Sequence, residues 1–375
     1  MVSPELFINT LKENGVDFFA GVPDSLLKNI CAYITDHVPA DHNIITANEG
    51  SAVAVGAGHY LATGRIPLIY MQNSGIGNAV NPLLSLADEK VYSIPMILLI
   101  GWRGEPGVHD EPQHVKQGEV TIPMLEAMGI KTIILPDEDT AAVDTAGMAV
   151  TSARREARPY ALIIKKGTFG KYRLQNEAVN TYSLSREDAM KCVIDNIPSD
   201  SAVVSTTGKL SRELFEYRET RHESHERDFL TVGSMGHASS IALGIALSHP
   251  ERKVFCFDGD GAFIMHMGAL SNIGKLAPGN FIHLLFNNGA HESVGGQPTL
   301  GFEIDALAIA RACGYAKAVS VETEEDLISA LSSALDSEKP VLIEIKVGIN
   351  SREDLGRPTT TPVQNKNAFM HFLSE

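Results

Sequence analysis

Lys253-Val-Phe-Cys-Phe-Asp-Gly-Asp-Gly261 and, further on, Phe281-Ile-His-Leu-Leu-Phe-Asn-Asn-Gly289 decide how this chain folds. Each is a short apolar run that ends in a polar turn, the pattern of a buried strand delivering a loop at its carboxyl end. Between them, Ala262 to Leu276 carries apolar residues at helical spacing (Phe263, Met267, Leu270, Ile273) and stops at Pro278-Gly279. Strand, glycine turn, helix and strand make a right-handed crossover, which brings both strand ends to one edge of a parallel sheet. Asp260 and Asn288, 28 positions apart (288 minus 260), can therefore meet there. A carboxylate, an amide oxygen and nearby backbone carbonyls are hard oxygen ligands of the kind Mg²⁺ takes, usually completed by a diphosphate. Gly259 and Gly261 let the backbone approach that diphosphate, and the helix opening at Ala262 points its N-terminus at it. Either half alone is only a turn; their conjunction at this spacing carries the reading.

Gly-Asp-Gly, an interval of this length and a closing Asn-Asn resemble the signature of thiamine-diphosphate (ThDP) enzymes. The wider sequence is similar to the phosphonopyruvate decarboxylase family, with sulfopyruvate decarboxylases as close relatives, over nearly the whole chain. The resemblance implies an α/β fold of two doubly wound, mostly parallel-sheet domains, pyrimidine-binding first and diphosphate-binding second. The middle domain of the larger ThDP decarboxylases has no room here. Expected bounds are 1–167 and 186–375, with a linker over 168–185. The same resemblance makes the Asp260 and Asn288 side chains and the Ala290 carbonyl the Mg²⁺ ligands, with Asn287 supporting them.

Composition fits a soluble globular protein of two ordinary domains: 375 residues, 44% hydrophobic and 21% charged. A formal charge of −15 argues against nucleic-acid and anionic-membrane partners, which need a basic surface. An anionic substrate must then meet a local cluster of positive groups. No apolar run is long enough to span a membrane, and the first residues lack a signal-peptide pattern, so a cytoplasmic location is expected. Cys31, Cys192, Cys256 and Cys313 show no paired spacing and read as core residues in a reducing compartment.

Other candidate residues sit at predicted strand ends. Asp24 and Ser25, in Gly21-Val-Pro-Asp-Ser25 before a helix expected over Leu26 to Val38, are either its N-cap or residues facing substrate. Glu49 begins the small-residue helix Gly50 to Tyr60, a favourable place for an acid. The resemblance gives it the catalytic role of hydrogen-bonding N1′ of the cofactor's aminopyrimidine. Gln72 to Asn81 reads as a Gly/Asn-rich turn, and it resembles the family's pyrimidine and interface loop. Gly101-Trp-Arg-Gly-Glu-Pro-Gly-Val-His-Asp-Glu-Pro-Gln-His-Val-Lys116 gathers the only Trp, Arg103, His109, His114 and Lys116 in a loop past an apolar strand. Arg103 offers a planar fork for a phosphonate or carboxylate, and the two histidines offer substrate contacts or proton transfer.

In the second half, the turn at Gly208-Lys209 is either a phosphate-binding nest or a helix cap. Met235, between glycines, is gap-filling core by its residue type; the resemblance places it under the cofactor, with the Gly233 carbonyl accepting from the 4′ amino group. His291 and Glu292 lie in a glycine-bearing stretch suited to a lid, where they either reach substrate or face solvent. The C-terminal Ala368 to Leu373 reads as an amphipathic turn.

The resemblance implies ThDP- and Mg²⁺-dependent decarboxylation of 3-phosphonopyruvate to phosphonoacetaldehyde and CO₂ in phosphonate biosynthesis; by residue type His109, His114 and His291 are the candidate proton donors. It also implies at least a homodimer, because the family assembles its sites between subunits. A sulfopyruvate or other 2-oxo-acid decarboxylase is the nearest alternative. A non-catalytic nucleotide- or phosphate-binding module is the distant one, and the lack of a Gly-Lys-Ser/Thr phosphate loop and of a dinucleotide fingerprint stands against it.

Overall fold

The computed structural model describes residues 1–352 and 354–375. The chain divides into two compact units, Met1–Glu177 with His291–Gln297, and Ala178–Ala290 with Pro298–Glu375. In the first, the elements are α1 (Pro4–Glu13), β1 (Phe19–Gly21), α2 (Lys28–His37), β2 (Asn43–Ile45), α3 (Glu49–Thr63), β3 (Leu68–Gln72), a 3₁₀ turn (Asn73–Gly75), α4 (Ile76–Pro82), a π-helical stretch (Leu83–Ala87), β4 (Ile97–Gly101), α5 (Pro112–Ala127), β5 (Lys131–Ile134), α6 (Asp139–Glu156) and β6 (Tyr160–Ile164). Every strand pairs in parallel, in the order β2-β1-β3-β4-β6-β5. Parallel strands covered on both faces read as continuous apolar runs, and β4 and β6 are buried at every position. One face packs Phe7, Ile8 and Leu11 of α1, Ile30 and Ile34 of α2 and the alanines of α6. The other packs Ala52 and Val53 of α3, Ile76 and Ala79 of α4 and Leu125 of α5.

The second unit holds α7 (Arg186–Asn196), β7 (Ala202–Ser205), α8 (Lys209–Thr220), β8 (Asp228–Leu230), α9 (Ala238–Ser248), β9 (Val254–Gly259), α10 (Asp260–Met265), α11 (Ala269–Leu276), β10 (Phe281–Asn287), α12 (Ala306–Cys313), β11 (Lys317–Val321), α13 (Glu324–Leu335), β12 (Val341–Lys346) and α14 (Pro362–Ser374). Its sheet is again six parallel strands, β11-β12-β10-β9-β7-β8. Counted from each unit's own first strand, the two sheets share the order 2-1-3-4-6-5. Both are doubly wound and no third unit stands between them, as the sequence led us to expect. Among the described residues no helix is long and apolar enough to cross a membrane.

Five local expectations change. The helix foreseen over 262–276 is two helices, broken at His266 to Gly268. Gln72 to Asn81 is largely helical, and the loop expected as far as Lys116 gives way to α5 at Pro112. A proline in the first helical position suits that start, since its missing N–H would have no partner there. The C-terminal turn is a full helix, α14, whose Thr361 and Gln364 form a reciprocal capping box. Finally, α2 begins at Lys28; Asp24 instead closes the preceding turn, its Oδ2 accepting from the Leu26 N–H at 2.9 Å.

Candidate active site

In the second unit, β9 and β10 lie side by side, with Phe286 paired to Gly259. Asp260 and Asn287-Asn288 therefore emerge at the same sheet edge, which is the meeting the spacing required. Asp260, Asn287 and Asn288 are all buried. Nearby turns are tied by Asx-type bonds: Asn288 Oδ1 accepts from the Ala290 N–H at 3.0 Å and Asn287 Oδ1 from the Gly289 N–H at 3.2 Å. Burial drives the Asp260 carboxyl up to about 6, although Thr299 and the backbone N–H groups of Gly261 and Gly289 pull the other way. Among the described residues no Lys, Arg or His pairs with it. An isolated buried carboxylate is costly, and a hard cation is the natural compensation. A Cβ on Gly259 would meet nothing within 4 Å, so there is open space beside this turn. The residues present thus suit Mg²⁺ and a diphosphate.

Met235 is half-buried on a turn that Ser234 enters at φ 52°, a left-handed conformation unusual outside glycine. Gly233 is half-buried beside it. At the end of β7, Gly208 (φ 108°) precedes α8, and the neighbouring Ser205 and Thr206 hydroxyls are buried without a hydrogen-bond partner. One sheet position further inside, His283 Nε2 lies 3.3 Å from Asp258 Oδ2 and its Nδ1 lies 3.2 Å from the Tyr315 hydroxyl. This buried chain braces β9, the strand that leads into Asp260.

In the first unit, Glu49 is the first residue of α3, directly after the N-cap Asn48, whose Oδ1 accepts from the Ser51 N–H at 2.9 Å. The Glu49 carboxylate is buried, accepts from Asn78 Nδ2 at 2.7 Å, and lies against Gly75 so closely that a Cβ there would sit 2.3 Å from Oε1. Glycine at 75 is what lets the acid fit. Asp24 is fully buried and accepts from Gln72 Nε2 at 2.6 Å.

Beyond β4 the loop is a polar lattice. Asn73 clamps it from both sides, donating to the Arg103 carbonyl at 2.8 Å and accepting from the Arg103 N–H at 3.1 Å. Trp102 anchors it through Nε1 to the Gly118 carbonyl at 2.9 Å. The Arg103 fork is not open: Nε and Nη2 bind Asp110 at 2.8 and 2.5 Å, and Nη1 donates to Ser25 Oγ at 2.9 Å. Burial would raise the Asp110 pKa, but Arg103 and the Glu111 and Gly104 N–H groups outweigh it and hold the carboxyl well below its usual range. His114, foreseen in a solvated loop, is buried in the first turn of α5; burial, reinforced by the Arg103 charge, keeps its pKa below the ordinary value. His109 is exposed. Burial pushes His291 down to about 4.

The candidates thus separate by unit: Asp24, Ser25, Glu49, Arg103, His109, His114 and His291 in the first, and Gly233, Met235, Gly259, Asp260, Gly261, Ala262, Asn288 and Ala290 in the second. Sequence reasoning did not find Asp110, Asn73, Gln72 or Thr299. Asp110 sits only seven positions after Arg103, but its role depends on how the intervening turn folds, and no periodicity signals that.

Residues 1–123 match the thiamine pyrophosphate enzyme N-terminal TPP binding domain, and residues 206–345 match the C-terminal TPP binding domain. A phosphonopyruvate decarboxylase of Streptomyces viridochromogenes is 36% identical, the match covering 96% of this chain and 92% of that protein. Another from Streptomyces hygroscopicus is 34% identical, covering 100% and 95%. A sulfopyruvate decarboxylase of Methanosarcina acetivorans is 30% identical, covering 88% and 87%. With both cofactor-binding domains matched and these relatives aligned over nearly its whole length, the chain belongs to the phosphonopyruvate decarboxylase family, carboxy-lyases built on thiamine-pyrophosphate-binding domains.

Proposed function

We propose that this chain decarboxylates 3-phosphonopyruvate to phosphonoacetaldehyde and CO₂, a step of phosphonate biosynthesis, with ThDP held through Mg²⁺. The observation that carries the metal and cofactor reading is the buried Asp260 carboxylate, without a cationic partner, beside Asn288 at the edge shared by β9 and β10. Asp260, Asn288 and the Ala290 carbonyl would hold Mg²⁺. Gly259, Gly261 and Ala262 would line the diphosphate, and Gly233 and Met235 the rings. When bound, ThDP accepts the electron pair released as CO₂ leaves.

The protein's own contribution is placement and proton control. Glu49, fixed by Asn78 and Gly75, would hydrogen-bond pyrimidine N1′ of the bound cofactor. Asp24 and Ser25 shape the substrate side, and Arg103, its fork taken by Asp110 and by Ser25 Oγ, holds Ser25 in place there. His291 and His114 are held toward the neutral imidazole. We assign them to accepting a proton or orienting water, and give donation at the product carbon to the exposed His109.

The names of the two Streptomyces relatives favour phosphonopyruvate; that of the archaeal relative supports sulfopyruvate as the second reading. With ThDP and Mg²⁺ supplied, kcat/KM on phosphonopyruvate should exceed that on sulfopyruvate and on pyruvate. A preference for sulfopyruvate overturns the substrate assignment and leaves the cofactor assignment standing.

We further infer an assembly of at least two copies, in the cytoplasm. The small-residue helices leave apolar side chains in solvent, Val55 and Leu61 on α3 and Leu247 on α9, and all four cysteines are free thiols. Light scattering from an active sample should give at least twice the 40.4 kDa chain mass.

A further inference from the structure

Asp260 has one partner that the metal-site reading does not supply. The Thr299 hydroxyl donates to Asp260 Oδ2, and the rest of its strap is fastened on every side. The Thr299 N–H donates to the Gly289 carbonyl at 2.9 Å, and the Gly301 N–H returns to Thr299 Oγ1 at 3.1 Å. The Gly301 carbonyl accepts from Asn287 Nδ2 at 2.8 Å. That amide also donates to Glu344 Oε1 on β12 at 2.8 Å, so the strap is tied to the neighbouring buried strand. Gly301 lies flat against the site: a Cβ there would sit 2.4 Å from Asn287 Oδ1 and 2.7 Å from Asp260 Oδ2. Any larger residue would have to displace the strap or the carboxylate.

A carboxylate rotates about its last bond and offers either oxygen to a cation. With Oδ2 taken by a hydroxyl and the backbone packed against it, that rotation stops. We propose that Thr299 is a positioning residue for the metal site: its hydroxyl locks Oδ2 of Asp260 and leaves Oδ1 as the oxygen presented to the cation, while Glu344, through Asn287 and Gly301, holds Thr299 in place. This rests on the reading of Asp260 as a Mg²⁺ ligand. Groups that orient a metal's ligands change affinity by about ten- to a hundredfold when removed. The strap would therefore act on metal affinity and only through it on turnover.

The test is calorimetric titration of Mg²⁺ into the full chain at saturating ThDP, repeated with Mn²⁺ followed by electron paramagnetic resonance, without substrate. Thr299→Val, which keeps the shape and loses the hydroxyl, should weaken metal binding about tenfold; Thr299→Ser should restore it. Gly301→Ala should weaken it at least as much. Glu344→Gln, whose amide oxygen still accepts from Asn287, should come close to wild type, whereas Glu344→Leu should not. If Thr299→Val alters folding, seen in its circular dichroism or melting temperature, Glu344→Leu against Glu344→Gln still decides the matter, since equal metal affinity of those two overturns the proposal. Metal binding by Thr299→Val that is unchanged or tighter overturns the proposal while the Mg²⁺ assignment stands. A wild-type chain that binds no divalent cation with ThDP present overturns both.

Discussion

Two carboxylates, each near the carboxyl end of a central strand in a sheet of the same order, have opposite fates. Asp110, past β4, is met by the Arg103 fork and two backbone N–H groups, and its proton affinity falls far below normal. Asp260, past β9, is met by a hydroxyl and backbone N–H groups, and its proton affinity rises. Topology alone therefore does not set the charge state of a strand-end acid; the supply of a cation does. The first unit brings a cation to its acid in its own sequence, whereas in the second, among the described residues, none meets Asp260, which is what the proposed Mg²⁺ would supply.

The largest effect should come from removing the uncompensated charge. Asp260→Asn should cost at least about a hundredfold in metal affinity, with turnover falling alongside. It should also stabilise the metal-free chain. The folded pKa of Asp260 lies above the unfolded one, so its ionisation opposes folding once the pH exceeds about 4, and the penalty is complete above about 6. At pH 7.5 the roughly two-unit shift amounts to about 3 kcal/mol, read by urea denaturation of both forms with metal absent. Equal stability of the two forms would break the contrast with Asp110.

Next in size, Glu49→Gln should lower kcat by about two to four orders of magnitude. Metal affinity should stay unchanged, because Glu49 belongs to the first unit and the residues proposed to hold the metal belong to the second. Near-normal decarboxylation by this variant would remove the acid from the mechanism. Asp110→Ala should destabilise the protein by about 2 kcal/mol, leaving a half-buried guanidinium and two N–H groups without their acceptor. The Arg103→Ala, Asp110→Ala double variant should cost less than the sum of the singles, and strict additivity would show that the pair is not coupled.

Smallest is a pH effect at His114. Its folded pKa is depressed, so the stability it lends is complete above about 6.5 and is lost as the pH falls. His114→Gln should therefore flatten the acid side of the stability profile, by less than about 1 kcal/mol. A profile that steepens would reverse the sign argued for its burial.

Much of this was legible in the chain. β9, β10 and the turns after them were readable because a buried parallel strand is an apolar run ended by a polar residue, and Asp260 and Asn288 mark those ends. Glu49 was readable as the acid that opens a helix, while its catalytic role came from the resemblance and not from that position. β11 escaped because Lys317-Ala-Val-Ser-Val321 is a short edge strand with mixed exposure, too brief to separate from a loop. The break between α10 and α11 was hidden because Phe263, Met267 and Leu270 keep helical spacing across it. Arg103 showed its charge but not its partner, since a fork in a loop is spent or free according to turn geometry. Thr299 gave no signal for the same reason: a hydroxyl on a strap becomes a brace only once the strap has folded back.

The composition of the first unit also has a consequence for how the protein is made. Its final piece, His291–Gln297, lies 114 positions beyond Glu177. At a synthesis rate of about 5–20 residues per second, the ribosome needs roughly 6–24 s to supply it after the rest of that unit has been translated. Throughout that interval the second unit is being assembled strand by strand as far as β10. The half of the protein that begins first is thus completed late, and a nascent chain stalled in this window would display a first unit still lacking its last segment.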